Sequence, residues 1–580
     1  MIKTMLTCIH YAGALLCLNG PLFNPIRPLF NPIPSVSNPI LPVSNPILAL
    51  FNRCPLHCAR LCIGFCIGLM ICTPSQAQYL EEIGLLKLDA ELGPLMPTGA
   101  GTTVYQVEAP NGETTPAGYP RYIPDYNNPA FQLKSFIDRP GYGAISTHAT
   151  EVGKFIYGID GIAPGVETII LGEANDWYIN RLLRTNIGGQ GGPLLSEGDI
   201  HNHSWIANRT NNAPPEALEQ VIKVTRLMDY LVLRDGPLVV VTVNNKTYTT
   251  IPDLFAHSYN CISVGTSDGD HSRGATTFDG LGRIKPEIVA PTYHTSYAAP
   301  MVSGTAASLL EVINEDPALT DAGKPECLKA ILLAGATKQE FPAWSRQVYQ
   351  PLDSVFGAGE LNVYNSYHIL AAGRQKPSAT EPVLPQGWDL NQIGVGPAKR
   401  YFFDIPETHY AYDVSMILTW LRDIRDIDPS PTFTPEADIL DLDLRLFNVE
   451  PGSFVTGEEI DKSISLVDNI EHVYQEILLP GRYCLEVSGD TGGVSKQFAL
   501  AFRSEQKLLP NIVEIAPRPD KRKRILAKVE ADIMYRFEKS TDLESWTPIG
   551  TQLSTGTLIT SLTAIDEEAL QFYRVLPVAP

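Results

Sequence analysis

Beyond residue 77 the 580-residue chain has only three cysteines, Cys261, Cys327 and Cys484. So sparse and odd a set excludes a disulfide framework, and stability must come from apolar cores. Positive charge is scarce as well. Lys and Arg number 44 against 64 Asp and Glu, a formal net charge of −20. Residues 78–580 keep 40 of the basic residues and all 64 acids, which makes −24. Such a body repels phosphate backbones and anionic lipid surfaces, which argues against a nucleic-acid partner. Membrane-length apolar runs are missing too. LCIGFCIGLMICT (Leu61–Thr73) is too short to span comfortably and has signal-peptide length. It follows Arg53 and Arg60 and runs into PSQAQ, where small residues place a cleavage after Ala77. The expectation is export to the cell envelope or beyond, with no membrane attachment once the signal is removed and no apolar tail behind.

Residues 1–77 form a leader in which Asn-Pro-Ile recurs at 24, 31, 38 and 45. Proline in every repeat excludes a coiled coil despite the seven-residue period. The leader is either disordered or translated sequence upstream of the true start. The second is preferred, because a signal peptide normally begins a chain. CPLHC and CARLC run into the apolar segment, where no folded metal cage would form.

The remaining length predicts several units. Over residues 78–375 apolar runs alternate with helical patterns, which indicates an α/β fold with a mostly parallel sheet flanked by helices. TTVYQVEA, ETIILGEA, PLVVVTVNN and NCISVGTS read as strands, the third apolar enough to be buried on both faces. PPEALEQVIKVTRLMDYLVL, PMVSGTAASLLEVINE and KPECLKAILLAGA read as helices. KPSATEPVLPQG reads as a linker. Residues 376–507 then show two-residue alternation, a β-sandwich: Val414, Met416, Leu418 and Trp420 point one way, and Leu440, Leu442, Leu444 and Leu446 face inward. Residues 508–580 read as a small all-β module.

The stretch HTSYAAPMVSG (His294–Gly304) places Ser296 at the start of a small-residue helix. A serine there is ordinarily a cap. As a nucleophile it would need a base, an acid to orient that base, and oxyanion donors. The stretch resembles the nucleophile motif of the subtilisin-like serine peptidases. In the same order, ISTHATEVGKFIYG with GIAPGVE resembles the family's histidine block, GPLVVVTVNN the strand ending in the oxyanion asparagine, and FGAGELNVYNSY the closing segment. The resemblance covers about residues 99–375. It implies His148 as general base, Ser296 as nucleophile, Asn245 in the oxyanion hole and a polypeptide substrate.

GAGTTVYQVEAPNG resembles the family's first strand, which puts Glu108 at the usual Asp position. Asp125 matches a family aspartate further on and is set aside as the orienter. The extra methylene of Glu moves its oxygens by about an ångström, which costs rate unless the backbone compensates. Other departures are Ser146, Asn244 and His294, each where the family has glycine. HNHSWIAN resembles the substrate-pairing strand, with Ser204 and Trp205 as candidate substrate contacts and Ile206 narrowing the cleft. His201 and His203 share a strand face, but two histidines without a third ligand rarely hold a metal. No cofactor is required for the chemistry. Structural calcium stays open, with Asp423, Asp426 and Asp428 as either ligands or solvated loop carboxylates. About twenty residues between Ala77 and the first strand leave no room for a folded inhibitory propeptide.

The resemblance extends to the later units. The sandwich resembles the P-like or pre-peptidase modules that follow such domains, and the last unit resembles C-terminal modules of secreted bacterial proteins; both are candidates for binding surfaces or polymers. The reading is a secreted serine endopeptidase. Its alternative is a catalytically silent scaffold of the same fold for extracellular binding.

Overall fold

A computed structural model describes residues 76–580 apart from 111, 185–191, 210–214, 428–432, 521, 565–569 and 580. The repeats, the apolar segment, seven cysteines and Asp428 lie outside the described residues. Among the described residues no helix is long and apolar enough to cross a membrane.

Seven short runs supply the main sheet: Thr103–Glu108 (β1), Ser135–Asp138 (β2), Thr168–Glu173 (β3), Ile200–His203 (β4), Leu238–Thr242 (β5), Ile262–Thr266 (β6) and Ile288–Ala290 (β7). All pair in parallel, in the order β7-β6-β5-β4-β1-β3-β2. The α/β expectation therefore holds. Alternation along each strand serves two cores. Val104, Val240 and Val264 join the core on one face, and Tyr105, Val107, Val239 and Val241 join that on the other.

Helices cover both faces. Gln76–Glu82 (α1) and Leu85–Leu92 (α2) precede the sheet. Thr147–Tyr157 (α3), Pro215–Asp235 (α4), Thr295–Glu315 (α5), Pro325–Gly335 (α6) and Val363–Ala371 (α7) follow within it. The small residues of α5 let it lie against its neighbours: a Cβ on Gly304 would stand 2.9 Å from the Ile162 Cβ. The strand order turns at β1, which has β3 on one side and β4 on the other. A parallel sheet opens a crevice at the carboxyl ends of its strands where the order reverses. Glu108 is the last residue of β1, at that crevice.

The sandwich is present as two four-stranded antiparallel sheets. One orders strands 387–393, 496–508, 409–419 and 470–478; the other orders 399–405, 481–490, 441–449 and 456–463. Val414, Met416, Leu418 and Trp420 meet Leu442, Leu444 and Leu446 in its core. Leu440 lies ahead of its strand and takes no part in that core. The opposite face of strand 409–419 is buried as well. Ile417, Ile470, Ala499 and Ala501 share a core with α6 and the main sheet. The expected linker is also stitched down: Ser378 N–H donates to Arg400 and Val383 N–H to Phe402. Asp423 and Asp426 belong to a strand pair and not to a loop; Asp423 pairs with Lys496 at 2.8 Å and Asp426 accepts from Thr434 N–H. Residues 511–577 form two three-stranded sheets whose Tyr535 packs on Tyr410 of the sandwich. Cys261, Cys327 and Cys484 are buried free thiols.

Candidate active site

The crevice at the end of β1 is a cleft of about 370 Å³, and His148, Ser204, Trp205, Asn245 and Ser296 all line it. Each arrives from the carboxyl edge of the sheet. His148 stands in the first turn of α3, which Ser146 caps by accepting from Ala149 N–H. Ser204 and Trp205 follow β4, Asn245 follows β5, and Ser296 opens α5.

Glu108 is 1% exposed, and its Oε2 accepts from His148 Nδ1 at 2.8 Å, while a third of the His148 side chain stays open to the cleft. Burial alone would lower the His148 pKa, but the hydrogen bond and charge of Glu108 outweigh it and leave the ring above its usual value. The bond also fixes the tautomer, with the proton on Nδ1 and Nε2 free to accept. Asp125 is elsewhere, accepting from Asn127 N–H in a turn.

Three supporting residues went unnoticed in the sequence. Gln106 donates Nε2 to the other Glu108 oxygen at 3.1 Å and to the Ala149 carbonyl at 2.9 Å. Tyr157 donates its hydroxyl to Gln106 Oε1 at 2.6 Å. Tyr297 stacks on the His148 ring at 5.8 Å between centroids. The available signal was Gln106 itself, a polar residue two positions before Glu108 and on the same strand face, amid apolar neighbours.

Asn245 is held by its oxygen. Oδ1 accepts from Thr295 N–H (2.9 Å), while the Thr295 hydroxyl donates to the Val243 carbonyl (2.8 Å), which orients the Asn245 amide with Nδ2 as its remaining donor. Ser296 N–H lies in the first turn of α5, before any intrahelical acceptor exists for it and at the positive end of the helix. Two donors therefore face the same cleft. Ser296 and His148 both line the cleft and are not hydrogen-bonded to each other.

The missing glycines cost no backbone strain. His294 has φ −140° and ψ 135°, and Ser146 has φ −112° and ψ 129°, both ordinary extended values. Asn244 is not among the positive-φ residues. Ser204 is buried and its Oγ accepts from Asn202, so its side chain is already engaged inside the protein. The Trp205 indole N–H has no partner among the described residues, and Ile206 lines the cleft beside it. His201 is taken up by Ser196 at 2.7 Å, and burial drives it down to about 3. His203 is wedged against Trp177 and Phe255, and burial holds its ring well below the ordinary imidazole value. Among the described residues no group of three or more side chains is arranged to hold a metal.

An acid–imidazole pair facing a serine at a helix start, on a parallel sheet of this order, defines the serine-hydrolase class of site. Residues 142–359 match the subtilase family, Peptidase_S8, so the chain carries a subtilase domain; His148, Asn245 and Ser296 fall inside the match and Glu108 precedes it. No curated protein matches the chain. Among solved structures it is similar to a serine protease of Aeromonas sobria, at 12% identity, 83% of this chain, 88% of that one and a TM-score of 0.28. It is also similar to tripeptidyl peptidase 2, at 12% identity, 74% of this chain, 51% of that one and a TM-score of 0.25. A third is the psychrophilic subtilisin-like protease Apa1 of an Antarctic Pseudoalteromonas, at 11% identity, 50% of this chain, 97% of that one and a TM-score of 0.29.

Proposed function

We propose that the chain is a secreted serine endopeptidase that cleaves polypeptides through an acyl-enzyme. His148 Nε2 takes the proton of Ser296 Oγ as that oxygen attacks the scissile carbonyl. Glu108 holds the imidazole in the accepting tautomer and offsets the charge it gains. Asn245 Nδ2 and Ser296 N–H receive the oxyanion. His148 then protonates the departing amine, and water, activated in turn by His148, releases the acyl group. The observation that carries the reading is the 2.8 Å bond between Glu108 and His148 in a cleft that also contains Ser296 and Asn245. Trp205 is a candidate substrate contact at the cleft wall, and Ser204 contributes through its backbone.

One observation favours a second reading, a silent scaffold for extracellular binding: Ser296 and His148 are not hydrogen-bonded. A fluorophosphonate probe separates the two. Labelling of the wild-type protein that Ser296→Ala abolishes supports the peptidase, and well-folded protein that resists labelling favours the scaffold. Export rests on the Leu61–Thr73 segment, and N-terminal sequencing of protein recovered outside the cytoplasm tests it, with Gln78 as the expected first residue.

A further inference from the structure

A second cavity, of about 620 Å³, lies beside the catalytic cleft with Tyr293 in its wall. The Tyr293 ring packs 4.7 Å from His294 and 5.6 Å from Tyr297, and both of those residues line the cleft. Tyr293 is thus the partition between the two spaces.

The cavity has a one-sided charge. Glu82, Asp268 and Glu340 are exposed around it, Glu360 is buried at 1% exposure, and no Lys or Arg is among the described residues that line it. Several buried acids of this chain are paired with cations, while others, such as Glu471 and Asp468, are satisfied by hydroxyl or N–H donors. Glu287 meets Lys285 at 2.6 Å and Lys329 at 3.0 Å, and Asp279 meets both Arg226 and Arg422 at 2.7 Å. Glu360 has no such partner, and its Oε2 is buried without a hydrogen bond. An unpaired buried carboxylate is costly. Burial pushes Glu360 up to about 8, and the charges of Glu82 and Glu340 add to the rise. A cation seated in the cavity would relieve that repulsion and hold Glu360 ionised.

The rest of the lining narrows the kind of cation. Tyr79 and Tyr293 are joined there by Phe341, which stacks on Phe356 at 3.9 Å. Aromatic faces beside carboxylates suit an ammonium or guanidinium group. The acids do not converge into a metal-ligand set. We infer that this cavity receives one Lys or Arg side chain of the polypeptide that occupies the neighbouring cleft. The inference rests on the polypeptide reading of the cleft and adds a preference for a basic residue near the scissile bond.

The test is calorimetry on the full Ser296→Ala chain with neutral octapeptides that carry a single Arg at successive positions. Each is compared with its citrulline counterpart, which keeps the shape and removes the charge. At one position Arg should bind at least tenfold tighter than citrulline. Glu82→Gln/Glu340→Gln, at exposed sites that do not endanger the fold, should erase most of the difference, and Glu360→Gln the same. Equal binding of Arg and citrulline at every position, no binding at all, or a preference that survives both variants would overturn the inference. So would saturable calcium binding that displaces the Arg peptide and disappears in the same variants. Fluorophosphonate labelling of the wild-type protein reports on Ser296 without touching the cavity: its absence would retire the peptidase reading, while the Arg-over-citrulline comparison on the Ser296→Ala chain still decides the charge preference.

Discussion

Gln106 grips the Glu108 oxygen that His148 leaves free, its Nε2 donating to Oε1 over 3.1 Å from two residues earlier on the same strand. With His148 on Oε2, both carboxylate oxygens are engaged, and Tyr157 fixes the Gln106 amide in turn. A glutamate side chain has one torsion more than an aspartate, and that freedom is what would spoil an orienting acid. Here the torsion is locked by a buried chain of hydrogen bonds, Tyr157 to Gln106 to Glu108 to His148.

It follows that restoring the usual aspartate should not improve the site. Glu108→Asp withdraws the carboxylate by a methylene from both Gln106 and His148, with β1 unmoved because it is paired on both sides. We expect kcat on a peptide substrate to fall by about tenfold to a hundredfold with KM little changed. An increase in kcat would show that the longer acid is a defect and that the Gln106 contact does not compensate for it.

The same pair sets the pH response. In the proposed mechanism neutral His148 is the active base, and its pKa is raised because the hydrogen bond and charge of Glu108 outweigh burial. Activity should therefore rise through a midpoint above the ordinary imidazole value of about 6.5. In Glu108→Gln burial alone remains, so the midpoint should move below that of wild type while kcat drops on the order of 10⁴-fold. Stability follows the sign of a raised folded pKa: the pair contributes fully below about pH 6.5 and fades as pH rises through the folded value. A pH series of rates and melting temperatures on both proteins checks the two statements together. A midpoint that does not move would mean that Glu108 does not control the ring.

Much of this was legible in the sequence because the elements carry local signals. The apolar run Leu238–Thr242 and the small residues of α5 announce a buried strand and a closely packed helix from side-chain type alone. The contacts that were not legible are those joining distant segments. Gln106 and Tyr157 are 51 residues apart, and although its polarity marks Gln106 out on its strand, nothing local names Tyr157 as its partner. Strand 409–419 was readable as alternating, yet Ile417 on its other face is buried by α6, which no periodicity within the strand reports. The grip of Thr295 on Asn245 likewise depends on where β5 ends relative to α5.

Asn245 offers a cleaner test of the oxyanion site than any member of the acid–imidazole pair. Its oxygen is occupied by Thr295, so its amine is the group left for a developing charge. Asn245→Ala should lower kcat by about 10²- to 10³-fold and leave KM nearly unchanged, because the donor acts on the transition state. Asn245→Asp should be at least as damaging, since it places a second carboxylate against the oxyanion. A change confined to KM would remove Asn245 from the oxyanion site and make it a binding residue.

Arg422 decides whether the subtilase domain can stand without its sandwich. It reaches from the end of strand 409–419 into the α/β body, where it bonds Asp279 at 2.7 and 2.8 Å and approaches Asp229. Asp229 is fully buried and also accepts from Ser258 and from the N–H groups of Tyr259 and Asn260. Arg422→Ala leaves Asp279 with Arg226 and Asp229 with its neutral donors, so the loss should sit at the low end of the range for a broken buried pair, about 3 kcal/mol. The apolar side of the interface adds to this, because every residue of α6 is buried and the helix shares its core with Ile417 and Ala501. A chain ending at Lys376 would bare that surface. We expect it to be insoluble, and the intact protein to melt from the α/β body through the sandwich in one cooperative step that Arg422→Ala moves to lower temperature as a whole. Two separate calorimetric transitions, or a soluble truncated chain that a fluorophosphonate still labels, would show that the two parts fold independently and that Arg422 only fastens them together.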